Sequence, residues 1–284
     1  MSVEPIINKI VNALSTIKGI EAIVLGGSRA RGNFTPKSDI DIGVYYNADL
    51  DLDHLRAVAT ALDDSHRPNL ITEIGEWGPW INGGGWLTVE NMPTDILLRD
   101  IAKVARVIDD CLQGQITIDY QPGHPHGFIN VIYAAETYYC RLLWAKTGAI
   151  AKLKEKLSPY PVALQQGIVN KFLWEASFTL IFARKSIARQ DACYAAGCFY
   201  RIAACLVQVL YALNKTYLMN ENGALDNIDY LPILPHNFRQ RITGLFDALK
   251  SQPQALAALI DKLAVLVKEV EDLAHAGCGW RPYY

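Results

Sequence analysis

The stretch EAIVLGGSRARGNFTPKSDIDIGVYY, residues 21–46, joins an apolar run, a glycine-rich turn and two aspartates. Residues 22–25 form the apolar run, and a run of that length that ends in glycines predicts a buried strand. Adjacent glycines leave backbone amides open to a phosphate, the next residue adds a hydroxyl donor, and two arginines add positive charge. The candidate nucleotide-binding residues are therefore Gly27, Ser28, Arg29 and Arg31.

Two aspartates, Asp39 and Asp41, follow at the start of a second strand-like run. Alternate residues of a strand share a face, so these two side chains point the same way while Ile40 and Ile42 face the core. Neighbouring carboxylates repel each other unless a cation lies between them. Next to a phosphate-binding turn the expected cation is Mg²⁺, which takes oxygen ligands and binds together with substrate phosphates.

This arrangement resembles the polymerase beta-type nucleotidyltransferase superfamily, whose signature is a Gly-Ser turn followed by a strand that bears Asp-x-Asp. The matching residues are Gly27 and Ser28, then Asp39 and Asp41. The resemblance implies a third carboxylate on a later strand, for which Asp95 is the candidate. It also implies that the three aspartates are catalytic and hold two Mg²⁺ ions. The reaction would move a nucleoside monophosphate from a nucleoside triphosphate to a hydroxyl, with Asp95 as a candidate general base.

Composition narrows the class of substrate. The chain has 284 residues, half of them apolar, a formal net charge of −2 and a pI of about 6.3. No cluster of lysine and arginine provides the basic surface that nucleic-acid binding requires, so we expect no nucleic-acid partner. A small molecule or a protein is then the expected acceptor.

The cysteines and apolar runs indicate the compartment. Six cysteines show no C-x-x-C spacing, which favours buried thiols in a reducing cytoplasm over a zinc site. There is no apolar signal core at the N-terminus, and the longest apolar run, residues 202–213, is too short to span a bilayer. We therefore predict a cytoplasmic protein that does not enter a membrane.

Periodicity predicts an α+β fold: an N-terminal nucleotidyltransferase domain with a mixed β-sheet and flanking helices, then an all-α helical bundle. The predicted domains are residues 1–120 and 128–284, joined by a Pro/Gly-rich connection that contains His124 and His126. We interpret these two histidines as turn residues, not as a metal pair. The predicted helices are 5–17, 51–64, 100–112, 134–147, 161–187, 191–213, 238–249 and 253–276, and the later predicted strands are 69–76, 87–89 and 95–98.

Three tryptophans lie among glycines in residues 77–86, WGPWINGGGW. Either this segment is a hairpin whose rings cover one end of the sheet, or it is a loop that borders the site and stacks on a base or a substrate ring. Trp86 is therefore a candidate acceptor-binding residue. Glu73 and Glu76 remain alternatives for the third carboxylate, because some relatives use a glutamate there.

A catalytic domain followed by a helical bundle resembles the two-domain, kanamycin nucleotidyltransferase-like enzymes of bacteria. In that plan Glu136 is a candidate to take the proton of the acceptor, and Lys146 is a candidate to bind it. We predict a Mg²⁺-dependent nucleotidyltransferase that acts on a small hydroxylated acceptor, antibiotic-like compounds included. ATP is the expected donor, although the motifs do not choose among the four nucleotides.

Two alternatives stay open. The chain could be a nucleotidyltransferase that adenylylates a protein, as in some toxin–antitoxin pairs. It could also be a nucleotide-binding module without catalysis, although a full set of carboxylates would then have no purpose. The sequence does not indicate an oligomeric state.

Overall fold

A computed structural model describes residues 3–281. The strands are β1 (Ile20–Leu25), β2 (Ile40–Tyr46), β3 (Gly84–Val89), β4 (Met92–Asp100), β5 (Ile118–Asp119), β6 (Phe128–Ile129) and β7 (Arg141–Ala145). The α-helices are α1 (Glu4–Leu14), α2 (Gly27–Arg31), α3 (Leu52–Leu62), α4 (Ile101–Leu112), α5 (Val131–Tyr139), α6 (Ala149–Lys156), α7 (Val162–Arg189), α8 (Ala192–Leu213), α9 (Phe238–Asp247) and α10 (Pro253–Cys278). A short 3₁₀ helix covers Ile228–Tyr230.

The main sheet has five strands in the order β3-β4-β2-β1-β7. β2 and β4 are parallel, and the other neighbouring pairs are antiparallel. The predicted α+β class with a mixed sheet and a helical C-terminal region is confirmed. The parallel pair matters most for function, because its register fixes which side chains of two distant segments lie beside each other.

One face of this sheet is the core of the N-terminal region. Alternation along β2 places Ile40, Ile42 and Val44 on that face with no exposed surface, while Asp41 on the opposite face is half-buried. The amphipathic helices α1 and α3 contribute the remaining apolar side chains of this core. The sheet therefore has one closed, largely apolar face, and Asp41 projects from the opposite face.

Helix α3 begins and ends at carboxylates with structural roles. Asp51 caps its start by accepting a hydrogen bond from the backbone N–H of His54 at 3.0 Å. Just after its end, the fully buried Asp63 accepts hydrogen bonds from Arg67 and from the backbone N–H of Thr88 at 2.9 Å. Hydrogen bonds from Arg67 hold the pKa of Asp63 well below its usual range, so this carboxylate is charged and paired.

The chain forms two compact units that are discontinuous in sequence. The first contains residues up to 109, 119–123 and 133–159, and the second contains 110–118, 124–132 and the residues from 160 onward. These units divide the chain differently from the predicted boundaries of 1–120 and 128–284. The reason is that residues after the predicted connection return to the first unit. A division of labour between a catalytic and an acceptor domain stays a prediction.

Two predicted elements are wrong. The helix predicted over residues 134–147 ends at Tyr139, and Arg141–Ala145 instead forms β7, paired antiparallel with β1. Pairing with the free edge of β1 satisfies backbone groups of both strands, which outweighs the local helical pattern. The strand predicted over 69–76 is irregular, and Gly75 within it has a φ of +88°.

The second unit is mainly helical, and its long helices α7, α8 and α10 provide most of its buried apolar side chains. By length and composition alone, α8 would be long enough to cross a membrane. In the structure 72% of its most apolar window is buried inside the protein, as is usual for a core helix of a soluble protein.

Candidate active site

The turn after β1 is built around close contact between its glycines and Asp41. The backbone N–H of Gly26 donates to the carbonyl oxygen of Asp41 at 2.8 Å, which fixes the turn beside β2. Gly27 has a φ of +58°, and a Cβ atom on it would lie 2.5 Å from the carboxyl carbon of Asp41. Position 27 therefore requires glycine for its backbone conformation and for the space that the carboxylate occupies.

The predicted carboxylates come together at one end of the β2–β4 pair. Asp41 lies directly opposite Asp95 in the parallel register, so the two side chains share a face of the sheet. Asp39 precedes β2 and is exposed. Asp95, separated from the motif by more than 50 residues in sequence, is thus brought beside it by strand pairing, as the superfamily resemblance implies.

The aspartates perturb one another electrostatically. Burial, the charge of Asp41 and then that of Asp39 raise the pKa of Asp95 to about 6. Burial and the charge of Asp39 also raise the pKa of Asp41, while Arg29 and Arg31 oppose that rise. Carboxylates that are held side by side in spite of their mutual repulsion provide a set of oxygen ligands suited to a hard divalent cation.

A divalent cation fits this donor set, although the three side chains do not form a closed cage. Their oxygen atoms are not all within 4.8 Å of one another in the described part of the chain. Asp41 and Asp95 are fixed on paired strands of the sheet, whereas Asp39 lies on the exposed loop that precedes β2. Mg²⁺ normally keeps several water molecules and shares substrate phosphates, so an open set of carboxylates is compatible with it.

Arg29 binds the loop that leads to the aspartates. Its Nε donates to the carbonyl oxygen of Asp39 at 2.9 Å, and its Nη2 donates to that of Ser38 at 2.5 Å. The guanidinium also lies over the ring of Phe34, 5.1 Å from its centroid. These contacts show that Arg29 positions Asp39. Phosphate binding by Arg29, or by the exposed Arg31, stays a prediction.

Trp86 lies next to Asp95 on the neighbouring strand. The antiparallel register pairs the two residues, so their side chains share a face of the sheet. Trp86 is 61% exposed and stacks on Trp77, with ring centroids 4.6 Å apart and planes at 29°. An exposed, supported aromatic surface beside a carboxylate favours the interpretation that this segment borders the site.

Glu136 lies on helix α5 and forms an ion pair with the buried Arg99 of β4. Both of its carboxylate oxygens accept hydrogen bonds from Arg99, from Nε at 2.9 Å and from Nη2 at 2.7 Å. Burial opposes the charge on Arg99, but Glu136 more than compensates and the pKa of the guanidinium is raised. This pairing favours a structural role for Glu136 over the predicted transfer of the acceptor proton. Arg99 was not predicted, although it follows Asp95 by four residues in the strand, a spacing that places both side chains on the same face.

Lys146, Glu73 and Glu76 do not join the carboxylates. Lys146 lies beside Glu21 near the start of β1, with Nζ and Oε1 3.8 Å apart. Gly26 is five residues further along, about 16 Å at the usual rise of a strand. Glu73 accepts a hydrogen bond from Arg56 at 2.5 Å, and Glu76 accepts one from the backbone of Glu73. The register of the sheet therefore supports Asp95 over either glutamate as the third carboxylate.

Comparison with known proteins gives two matches to family models. Residues 7–78 match the nucleotidyltransferase domain family, and residues 135–220 match a domain of unknown function, DUF4037. The first match includes the glycine turn, Asp39 and Asp41 but ends before Asp95. No curated protein matches the chain.

Among solved structures, the chain is similar to a nucleotidyltransferase-like protein from Exiguobacterium sibiricum, with 9% sequence identity and a TM-score of 0.49. The alignment covers 97% of this chain and 78% of that one. The match over residues 7–78 coincides with the turn and strand that the geometry singles out. The chain thus carries a nucleotidyltransferase domain of the polymerase beta-type superfamily and is a transferase.

Proposed function

We propose that this enzyme transfers a nucleoside monophosphate from a nucleoside triphosphate to a hydroxyl group of a small molecule in a Mg²⁺-dependent reaction. The observation that carries the proposal is the pairing of Asp41 with Asp95 directly beside Gly27. It places a carboxylate pair next to a turn whose backbone is bare of side chains. That combination suits a triphosphate that binds with its metal ions.

Asp39, Asp41 and Asp95 would hold Mg²⁺, and two ions would fit the superfamily. The bound metal would neutralise phosphate charge and lower the pKa of the acceptor hydroxyl. The Gly27 amide and the Ser28 hydroxyl would bind the β- and γ-phosphates. With the loop arginines contributing positive charge, the leaving pyrophosphate would be stabilised.

In the chemical step the acceptor oxygen forms a bond to the α-phosphorus and the bond to the pyrophosphate oxygen breaks. The hydroxyl proton would pass to the carboxylate of Asp95. The exposed stack of Trp86 on Trp77 would offer a flat surface to the nucleobase or to a ring of the acceptor.

The test is incubation of the protein with Mg²⁺ and each of the four nucleotides, labelled at the α-phosphate, in bacterial lysate separated by size. Label in the small-molecule fraction is the expected result, with ATP as the expected donor. Label on a protein band would instead support the protein-adenylylating alternative. Binding of nucleotide without transfer in any lysate would support the alternative that the chain is a nucleotide-binding module without catalysis.

A matched pair of variants ties transfer to the site. Asp41→Asn keeps the size of the side chain but removes the charge, and we expect it to abolish transfer. Asp49→Asn makes the same change at an exposed position outside the site and should leave transfer unaffected. Transfer by the Asp41→Asn variant at the wild-type rate would refute the assignment of the carboxylates.

A further inference from the structure

A second group of potential metal ligands lies within the second unit. The ligand atoms of His126, Glu175 and Cys205 all lie within 4.8 Å of one another. His126 comes from the segment 124–132, Glu175 from α7 and Cys205 from α8, so folding brings together residues up to 79 positions apart in sequence. Sequence spacing, which gave no indication of a zinc site, cannot detect a ligand set of this kind.

The distance between two of these atoms matches tetrahedral zinc coordination. Cys205 Sγ and His126 Nε2 are 3.7 Å apart. With usual Zn–S and Zn–N bond lengths of about 2.3 and 2.05 Å and a tetrahedral angle, the two ligand atoms should be about 3.6 Å apart. A nitrogen, a sulfur and a carboxylate oxygen are also the ligand types that Zn²⁺ prefers.

The cluster is mostly buried, and Glu175 is its most accessible member. Cys205 has no exposed surface and His126 is 3% exposed, with its ring packed against Phe172 at a centroid distance of 5.8 Å. The side chain of Glu175 is 14% exposed.

Neighbouring groups hold two of the three ligands, His126 and Glu175, in place. Arg201 forms an ion pair with Glu175, and its Nη1 donates to the carbonyl oxygen of His126 at 2.6 Å. Glu221 accepts a hydrogen bond from the backbone N–H of His126 at 3.3 Å. Such partners orient ligands in metal sites.

We propose that His126 Nε2, Cys205 Sγ and a carboxylate oxygen of Glu175 bind a zinc ion, with water as the fourth ligand. Arg201 contacts Oε1 of Glu175, and a carboxylate has a second oxygen for the metal. The thiol gives up its proton to solvent as the S–Zn bond forms. The ion joins the 124–132 segment to α7 and α8 and stabilises the second unit.

The test uses the full chain, with any affinity tag removed and metal extracted by a chelator, titrated with Co²⁺ as a spectroscopic substitute for Zn²⁺. We expect one equivalent of Co²⁺ to bind and to give the charge-transfer absorption of a thiolate ligand, and Zn²⁺ to displace it. Cys205→Ser should remove that absorption and weaken binding at least about tenfold, since even loss of a group that only orients a ligand costs ~10–100-fold. Cys198→Ser, at another buried thiol of α8, is the matched control and should bind like the wild type.

A second variant keeps the proposal testable if Cys205→Ser does not fold, as judged by circular dichroism. Glu175→Gln retains an oxygen for Arg201 but removes the ligand charge. We expect at least about tenfold weaker Co²⁺ binding with the thiolate absorption still present. A folded wild-type protein that binds neither ion, a Cys205→Ser variant that keeps the absorption, or a Glu175→Gln variant with unchanged affinity would each overturn the three-ligand site.

Discussion

Replacing Gly27 by alanine gives the sharpest test of the site's geometry. The added Cβ would lie 2.5 Å from the carboxyl carbon of Asp41. Carbon atoms in contact are normally about 3.5 Å apart, so the carboxyl group must move by about 1 Å. A misplacement of ~1 Å can reduce a rate about 100-fold, which corresponds to roughly 2.7 kcal/mol of transition-state stabilisation.

The chain offers a control with the same backbone demand and no clash. Gly32 has a φ of +80°, and nothing lies within 4 Å of the position that its Cβ would take. The backbone strain of a left-handed alanine should lower the free energy of unfolding by ~1–2 kcal/mol at either position, and displacement of Asp41 adds to that loss only at Gly27. The comparison between the two variants separates strain from displacement of Asp41.

The assay measures the initial rate of label transfer from the α-labelled nucleotide, in the lysate fraction where the wild type transfers it. Urea denaturation of both variants measures stability. We expect Gly32→Ala to be close to wild type in rate and Gly27→Ala to be about 100-fold slower. Rates for the two variants within threefold of each other would refute the claim that Gly27 exists to make room for a catalytic carboxylate.

Three further predictions concern pairing and stacking. Because Asp63 has a lower pKa in the folded protein than in the unfolded chain, its contribution to stability is complete at neutral pH, begins to fall near the unfolded value of 3.8 and continues to fall until the pH is below the folded-state pKa. The free energy of unfolding of Asp63→Asn, measured by urea titration between pH 7 and 3, should therefore decrease less at acid pH than that of the wild type. Arg99→Leu leaves the carboxylate of Glu136 unpaired and should cost about 3–5 kcal/mol in the same assay, with the Arg99→Leu/Glu136→Leu double variant more stable than the single one. If the ring stacks on the nucleotide or on the acceptor, Trp86→Ala should weaken binding of that ligand by about 1–3 kcal/mol in an equilibrium titration. Affinities of the variant that equal those of the wild type for both ligands would exclude that role.

The parts of the fold that the sequence predicted well are those in which local pattern and final environment agree. The run at 22–25 and the alternation from Asp39 to Val44 have the periodicity of strands with one buried face, and the structure builds both as neighbours in a sheet. Asp95 was predicted from the superfamily resemblance and from its place before an apolar run. Its position opposite Asp41 depends on register, which only the structure supplies.

The parts that could not be predicted depend on distant partners. Residues 141–145 become a strand because β1 has an edge to pair with, and no local feature records that partner. The same limit applies to Glu136, whose role depends on an arginine 37 residues away. In the sequence, a helix glutamate that forms an ion pair cannot be distinguished from one that is solvated.

The placement of β7 determines how the first unit can be handled as a separate protein. A fragment that ends at residue 120 would lose β7 and leave one edge of β1 with unpaired backbone groups, a site for association with other chains. It would also bury the guanidinium of Arg99 without Glu136, its counter-ion. A fragment that extends to residue 159 retains both partners. The shortest fragment that keeps this sheet edge and this ion pair intact is therefore set by β7, a strand that follows the aspartates of the motif by about 100 residues.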